Sequence, residues 1–354
     1  MMNNLEKLKI PDGADGAIIT SDINRRYFTG MKSSAGTILK FKDTAYLIID
    51  FRYIEKARKT VKNCEVIEQG NLTEQINSLM KKHNAKSLAV ESMDMTVHRL
   101  HFFREKFPDA EFIDSDELSN NIYDMRTVKN ADEIEKIQKA QEIAEKAFDE
   151  ILGFIRPGIT EREIALKLDG CMLENGAESL SFETIALAGK NTSMPHGVPG
   201  NYRVQSGDFV LMDFGAVYDG YHSDMTRTVC VGQPTEKMRN VYNIVLDAQL
   251  KALDAVHAGM NGSELDAMAR DHIEQNGYGD NFGHSLGHGV GMEIHEFPNA
   301  SPKSKTVLKE NMVVTVEPGI YIPDEFGVRI EDFVVVTEKS HRNLTKCPKK
   351  LIIL

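Results

Sequence analysis

Short apolar runs alternate with amphipathic segments over the first part of the chain. Residues 16–20 and 45–50 have the length and apolar content of buried β-strands. Residues 72–83 have the pattern of a surface helix, and residues 87–91 again that of a strand. This alternation predicts an α/β domain, which we place at residues 1–125.

A longer helical pattern marks the start of a second domain. Asn130 is suited to cap a helix, and Glu133 three residues later completes a capping box. The apolar positions that follow share one helical face: Ile134, Ile137, Ala140 and Ala144. They predict a helix to about Ile155, within a second domain at residues 126–354.

This second domain contains a weak internal repeat. Three local matches share a separation of 101 residues: Gly158 with Gly259, Glu163-Ile164 with Glu264-Leu265, and Asn175-Gly176 with Asn276-Gly277. Asn-Gly after a helical pattern is typical of a C-terminal stop, so each half has the pattern of two helices followed by strands. The repeat predicts a duplicated unit of paired helices and sheet.

Composition narrows the class of protein. A chain of 354 residues is long enough for two domains, and a net charge of −11 argues against a nucleic-acid binder. No apolar run approaches the ~18 residues of a membrane span. The four cysteines are far apart and form no CxxC pair, so we expect reduced thiols in a cytoplasmic protein rather than a cysteine metal site.

Two acidic residues flank a predicted β-hairpin. Asp213 ends an apolar run, Asp219-Gly220 is a hairpin turn signal, and Asp224 begins the next β-rich run. Across such a hairpin the two carboxylates should be near neighbours on one face.

The second half of the repeat also has two acidic residues that flank a predicted hairpin turn. Glu317 ends the β-rich run 313–317 and Glu331 ends the β-rich run 328–331, and these two runs flank the turn-rich residues 323–327. One acidic residue beside a turn is more often simply solvated or hydrogen-bonded. Four at mirrored positions among apolar residues would repel, unless cations lie between them. Two divalent metal ions would meet this need.

Histidines supply candidate nitrogen ligands and proton carriers. His284, His288 and His295 lie within a glycine-rich segment, where glycine permits close backbone approach to a site. His196 lies in a Pro/Gly-rich loop before the first hairpin. Taken alone, a loop histidine of no functional consequence is an equal alternative.

At these residues the sequence resembles the pita-bread-fold metallopeptidases, the group of methionine aminopeptidase, aminopeptidase P and prolidase. The similar segments are Asp213-Phe-Gly with the motif from Gly220 to Thr228, the run from His284 to Glu296, Val316-Glu317-Pro-Gly-Ile-Tyr, and Gly327-Val-Arg-Ile-Glu331-Asp. The region before them is similar to a creatinase/prolidase-type N-terminal domain, with residues 24–30 as a weaker marker. The resemblance implies an α+β fold, in which a smaller α/β domain precedes a duplicated pita-bread domain.

The resemblance also implies a ligand set for two metal ions. Asp213 would chelate one ion, His288 and Glu317 would bind the other, and Asp224 and Glu331 would bridge the two. An oxygen-rich shell with a single histidine suits Mn²⁺, with Co²⁺ or Zn²⁺ as alternatives.

Further roles follow from the same resemblance. Glu317 would relay a proton from the attacking water, while His196 and His295 would hydrogen-bond the substrate and the developing oxyanion. His284 would line the pocket for proline. Arg329 would belong to the substrate-binding residues and would support the site through the residues that it contacts.

The additional N-terminal domain implies, by the same resemblance, the proline-specific branch, which hydrolyses peptides with proline at the second position. Archaeal-type prolidases have an arginine after the His-Glu-x-Pro stretch, whereas Asn299 follows it here. We therefore predict an Xaa-Pro aminopeptidase, with an Xaa-Pro dipeptidase as the alternative. A metal-free creatinase-like enzyme and a non-enzymatic binding relative rank lower, because all five ligand positions are present. The resemblance also implies a homodimer, and we expect no nucleic-acid or membrane partner.

Overall fold

The chain divides into two units, Met1–Arg126 and Thr127–Leu354. The computed structural model describes residues 4–354, so residues 1–3 of the predicted N-terminal domain lie outside the described residues. Each unit has apolar cores of its own.

The first unit alternates strands with helices. Its strands are β1 (Gly16–Ile19), β2 (Thr37–Phe41), β3 (Ala45–Ile49), β4 (Glu65–Glu68), β5 (Ser87–Val90) and β6 (Glu111–Ile113). The helices of this region are α1 (Asn4–Lys7), α2 (Asp22–Thr29), α3 (Ile54–Thr60), α4 (Leu72–Lys82), α5 (Val97–Lys106) and α6 (Glu117–Thr127). The strands and helix predicted from the apolar pattern are confirmed.

One sheet, in the order β4-β3-β2-β1-β5-β6, carries the described part of this unit. β1, β2 and β3 pair antiparallel, and the outer pairs are parallel. Successive residues of β1 face different cores, since Ile18 and Ile19 belong to separate apolar clusters. A sheet covered on both faces explains why its strands are continuous apolar runs.

The second unit contains two helix pairs. They are α7 (Ala131–Leu152) with α8 (Glu161–Glu174), and α9 (Glu236–Ala255) with α10 (Gly262–Gln275). α7 begins with the predicted capping box and ends at Leu152, because Gly153 interrupts the helix before the predicted Ile155. Matching capping boxes open α8 and α10. Gly158 and Gly259 precede them with the same φ of +95°, which confirms the predicted repeat.

The strands of the second unit form separate small sheets. They are β7 (Ser179–Leu180), β8 (Ile185–Ala188), β9 (Phe209–Phe214), β10 (Ala216–Tyr218), β11 (Tyr221–His222), β12 (Met225–Cys230), β13 (Gly287–Gly289), β14 (Glu296–Ala300), β15 (Val313–Val316), β16 (Gly319–Ile322), β17 (Phe326–Arg329), β18 (Asp332–Val336) and β19 (His341–Asn343). The sheet orders are β11-β10-β7, β12-β9-β8, β14-β13-β15-β18-β19 and β16-β17. Each helix pair shares an apolar core with strands, which gives the α+β fold. No described helix combines the length and apolar content needed to cross a bilayer.

Candidate metal centre

The first hairpin places one carboxylate on each strand, with an offset. Asp219 and Gly220 form its turn with φ values of 46° and 83°, as a two-residue hairpin loop requires. In this register Asp213 of β9 lies opposite Thr226 of β12, and Asp224 precedes β12. Asp213 and Asp224 are therefore diagonal neighbours. The mirrored arrangement expected from the sequence is wrong by two residues, because the turn is centred between Asp219 and Gly220.

The second hairpin has the expected symmetry. Val316 pairs with Asp332 where β15 meets β18, and Gly319 pairs with Arg329 where β16 meets β17. Both pairs belong to one register, which places Glu317 opposite Glu331 at the junction between the two ladders. The turn at its centre contains Asp324, with φ of 61°.

The two hairpins bring their acidic residues together. One ligand atom from each of Asp213, Asp224 and Glu331 lies within 4.8 Å of the others. His288 Nε2 is 3.5 Å from Asp224 Oδ2 and 3.3 Å from Glu317 Oε1. Ligand atoms at bond lengths of about 2.1 Å and tetrahedral angles around one ion lie ~3.4 Å apart. We call these five residues the carboxylate–histidine cluster.

Burial without a cation strongly disfavours ionised carboxyls in this cluster. Burial, then the negative charge of Asp213, holds the pKa of Asp224 well above its usual range. Burial and the charge of Asp224 likewise raise the pKa of Glu331, and burial raises the pKa of Glu317 to about 8. Burial also lowers the pKa of His288 to about 4, so this imidazole is neutral at pH 7.

The donor atoms fit a divalent cation. Asp213 Oδ1 and Glu331 Oε1 are buried and have no hydrogen-bond partner among the described residues, a costly arrangement unless a cation supplies the missing interaction. His288 Nδ1 is 3.0 Å from the carbonyl oxygen of Gly289. Because a carbonyl only accepts, Nδ1 carries the proton and Nε2 presents its lone pair to the cluster.

Two threonines that the sequence reasoning missed hold the cluster in place. Thr226 Oγ1 donates to Glu331 Oε2 at 2.7 Å, and Thr315 Oγ1 donates to Glu317 Oε1 at 3.1 Å. The sequence did contain a signal, since each threonine lies two residues from an acidic residue of the cluster. Positions two apart on a strand share a face.

Arg329 lies beneath the cluster, not on a surface open to substrate. Its side chain is 3% exposed and donates to Asp213 Oδ2 at 2.6 Å. It also donates to Thr226 Oγ1, to Tyr321 Oη and to the carbonyl of Pro195. The structure thus gives Arg329 a role in orienting Asp213, and no described contact places it in the substrate-binding role expected from the sequence.

The three remaining histidines differ in their contacts. The His295 ring packs edge-on against His288 with a centroid separation of 4.4 Å, and its side chain is exposed. His196 is exposed and directly follows Pro195, whose carbonyl accepts from Arg329. His284 is held by Ser285 and by Tyr321, another residue the sequence reasoning missed.

His284 has a defined tautomer. Its Nδ1 is 2.8 Å from the Ser285 carbonyl oxygen and its Nε2 is 2.9 Å from Tyr321 Oη. Nδ1 is therefore the donor and Nε2 accepts from the tyrosine hydroxyl. Burial lowers the pKa of His284 to about 4. His284 is therefore a neutral ring whose two nitrogens are both hydrogen-bonded within the protein.

Comparison with known proteins agrees with this geometry. Residues 135–338 match Metallopeptidase family M24, and residues 3–128 match the Creatinase/Prolidase N-terminal domain. The chain therefore belongs to metallopeptidase family M24. It is a metal-dependent exopeptidase with a pita-bread C-terminal domain, from the proline-specific branch of that fold.

Its relatives match over nearly their full length. An Xaa-Pro dipeptidase from Pyrococcus furiosus is 43% identical over 99% of this chain and 100% of that protein. The solved structure of an Xaa-Pro dipeptidase from Bacillus anthracis is 43% identical with a TM-score of 0.93, covering 97% of this chain and 96% of that one. An X-Pro aminopeptidase structure from Thermotoga maritima is 37% identical with a TM-score of 0.93, covering 99% of this chain and 100% of that one.

Proposed function

We propose that this protein is an Xaa-Pro dipeptidase, which hydrolyses the bond between an N-terminal residue and a C-terminal proline. The observation that carries the proposal is the carboxylate–histidine cluster with its two unpartnered buried oxygens. The dipeptidases from P. furiosus and B. anthracis support a dipeptide as substrate. They favour the alternative over the aminopeptidase predicted from the sequence.

We propose that the cluster holds two divalent cations. Asp213 would chelate one, His288 and Glu317 the other, and Asp224 and Glu331 would bridge them. Its oxygen-rich donor set favours Mn²⁺, with Co²⁺ or Zn²⁺ as alternatives. When bound, such cations polarise a carbonyl and supply a nucleophilic water at neutral pH.

Residues in and around the cluster transfer the proton, bind the substrate and stabilise the oxyanion. Glu317 accepts a proton from the attacking water and passes it to the leaving proline nitrogen. His295 and His196 are exposed at the site and donate hydrogen bonds to the substrate and the developing oxyanion. His284 presents its ring face to proline, while Arg329 and Thr226 keep Asp213 and Glu331 oriented.

A peptide panel tests this proposal. Reconstituted with Mn²⁺, the enzyme should hydrolyse Met-Pro and Leu-Pro with a higher kcat/KM than Met-Pro-Ala and Leu-Pro-Ala. Met-Ala should be a poor substrate, and the metal-free enzyme should be inactive. No cleavage of any Xaa-Pro peptide by the Mn²⁺, Co²⁺ or Zn²⁺ form would rule out the proposed function.

The second candidate is an Xaa-Pro aminopeptidase acting on longer peptides, which the T. maritima relative and Asn299 favour. Asn299 lies on β14 opposite His288 and is exposed. Its neutral amide offers no cation to a dipeptide carboxylate. A higher kcat/KM for the tripeptides would establish this candidate, and Asn299→Arg should then shift the ratio toward dipeptides.

We further propose a homodimer, as the resemblance implies, and a cytoplasmic location, which accords with four free cysteines. Sedimentation velocity at micromolar concentration tests the dimer. Fractionation of cells tests the location.

A further inference from the structure

A buried ion pair lies beneath the segment that carries His295. Lys129 Nζ is 2.7 Å from Glu296 Oε1, and their side chains are 1% and 4% exposed. Burying either charge alone is costly, and each lowers the cost of burying the other. Removing either partner should therefore disturb the backbone that holds the one that remains.

The lysine is fixed by the sheet beside it. The Lys129 backbone N–H donates to the carbonyl of Asn311 at 3.0 Å, and Val128 forms a β-bridge with Met312. Lys129 Nζ also donates to the Thr127 carbonyl at 3.2 Å. The ammonium group is thus held in place near the N-terminal end of β15.

The glutamate is enclosed by its own segment. A Cβ atom at Gly291 would collide with the Glu296 carboxylate, so the chain passes directly over this carboxylate at a residue without a side chain. The backbone N–H of Glu293 points to Glu296 Oε2 at 3.4 Å. The His222 backbone N–H donates to the Gly291 carbonyl at 2.8 Å. Residues 291–296 therefore wrap around a carboxylate that Lys129 anchors.

His295 and Glu296 are consecutive and make opposite contacts. The Glu296 carboxylate reaches Lys129, while the His295 ring packs against His288. Glu296 is the first residue of β14 and His295 directly precedes it at a bend, so anchoring the Glu296 side chain limits where the His295 ring can lie. We propose that Lys129 is a positioning residue, which through Glu296 holds His295 against the metal centre. This proposal rests on the role given to His295 in the proposed function.

Kinetics of the full-length Mn²⁺ enzyme with Met-Pro test the proposal. Lys129→Met should lower kcat by about tenfold or more, a fraction of the effect of losing an oxyanion donor. KM should change by less than about twofold and metal content should be unchanged, as for a contact made only in the transition state. Lys129→Met combined with Glu296→Gln should regain most of the lost kcat, because a neutral amide costs less than a carboxylate to bury without the ammonium group.

Lys136→Met is the matched control. Lys136 Nζ is 2.6 Å from Asp219 Oδ2, with side chains 33% and 50% exposed, and this variant should keep wild-type kcat. The proposal is overturned by wild-type kcat in Lys129→Met, or by a double variant that loses kcat, metal and thermal stability together. If Lys129→Met does not fold, Glu296→Ala is measured in its place. Wild-type kcat in Glu296→Ala would likewise overturn the proposal.

Crystal structures separate this proposal from the proposed function. In Lys129→Met the His295 ring should leave its position 4.4 Å from His288, and in the double variant it should return. That displacement is measurable even if the wild-type enzyme cleaves no Xaa-Pro peptide. An unmoved His295 in Lys129→Met would overturn the positioning role, whatever the substrate.

Discussion

Single hydroxyl groups decide how the charged residues of the cluster are oriented. Thr315 Oγ1 accepts from the His288 backbone N–H at 3.0 Å and donates to Glu317 Oε1 at 3.1 Å, so one hydroxyl connects two expected ligands of the same ion. Thr226 Oγ1 likewise accepts from Arg329 Nε at 3.0 Å and donates to Glu331 Oε2 at 2.7 Å. Without these bonds the carboxylates would sample other rotamers.

Thr315→Val should therefore weaken metal binding while the fold persists. Valine has the same shape but neither donates to Glu317 nor accepts from His288. Loss of an outer partner of a metal ligand typically costs ~10–100-fold in metal affinity. Titration of the metal-free protein with Mn²⁺ measures this. The control is Thr184→Val, a buried threonine whose hydroxyl bonds Asp169 instead; equal affinity in the two variants would contradict the prediction.

At the scale of elements, the cluster depends on hairpin register. The sequence was sufficient for the second hairpin, because its turn is centred on Asp324 and the register runs unbroken from β16–β17 into β15–β18. It was insufficient for the first, where a one-residue error in the turn centre displaced Asp224 by two positions relative to Asp213. Register is set by turn geometry, and a small error there moves every cross-strand pair.

Contacts between the two hairpins were beyond the sequence pattern. Arg329 on the second hairpin donates a hydrogen bond to Asp213 on the first, 116 positions away. In turn, Thr226 on the first hairpin donates a hydrogen bond to Glu331 on the second. Periodicity shows which residues of a strand share a face, but not which other strand covers that face. The resemblance to known peptidases supplied the expected ligands, whereas the threonines, Tyr321 and Lys129 required the fold.

Close packing of β13 against β15 gives a second prediction about the metal centre. A Cβ atom at Gly287 would lie 2.0 Å from the Thr315 carbonyl oxygen, so Gly287→Ala must force β13 away and move His288. We expect ~10–100-fold weaker metal binding and a stability loss of about 1–3 kcal/mol.

Gly170→Ala is the control for that variant. Gly170 is within α8 and has no atom within 4 Å of its would-be Cβ, so alanine should raise stability by up to ~1 kcal/mol and leave metal affinity unchanged. Calorimetry and metal titration of both variants decide the matter. Wild-type metal affinity in Gly287→Ala would show that β13 does not set the position of His288.

Across the whole second unit, the repeat brings its two halves together at the cluster. The first half supplies Asp213 and Asp224, and the second supplies His288, Glu317 and Glu331. The halves are also joined by a buried ion pair, Arg227 to Asp332 at 2.8 Å, and by the Glu331 backbone N–H, which donates to the Thr226 carbonyl at 3.1 Å. Cations held by both halves should therefore stabilise the whole unit.

The pKa values of the cluster predict how that stabilisation depends on pH. Burial raises the pKa of Glu317 from 4.5 to about 8, so the metal-free folded protein holds a proton that the unfolded chain has released. This carboxyl makes stability fall as pH rises from 4.5 to 8, and the raised pKa values of Asp224 and Glu331 add to this fall. Burial lowers the pKa of His288 and of His284 from 6.5 to about 4, which has the opposite effect, most of it below pH 6.5.

Between pH 6.5 and 8 the opposing effect of the histidines fades as the unfolded imidazoles lose their remaining protons, so the carboxyls dominate among these groups. The Tm of the metal-free protein should fall across this interval. Mn²⁺ replaces the protons, so the increase in Tm that it causes should be larger at pH 8 than at pH 6.5. Scanning calorimetry in chelator and in Mn²⁺ measures both slopes, and Glu317→Gln should flatten the metal-free one. A metal-free Tm that is constant or rises from pH 6.5 to 8 would mean that the buried carboxylates are compensated by something other than protons or metal.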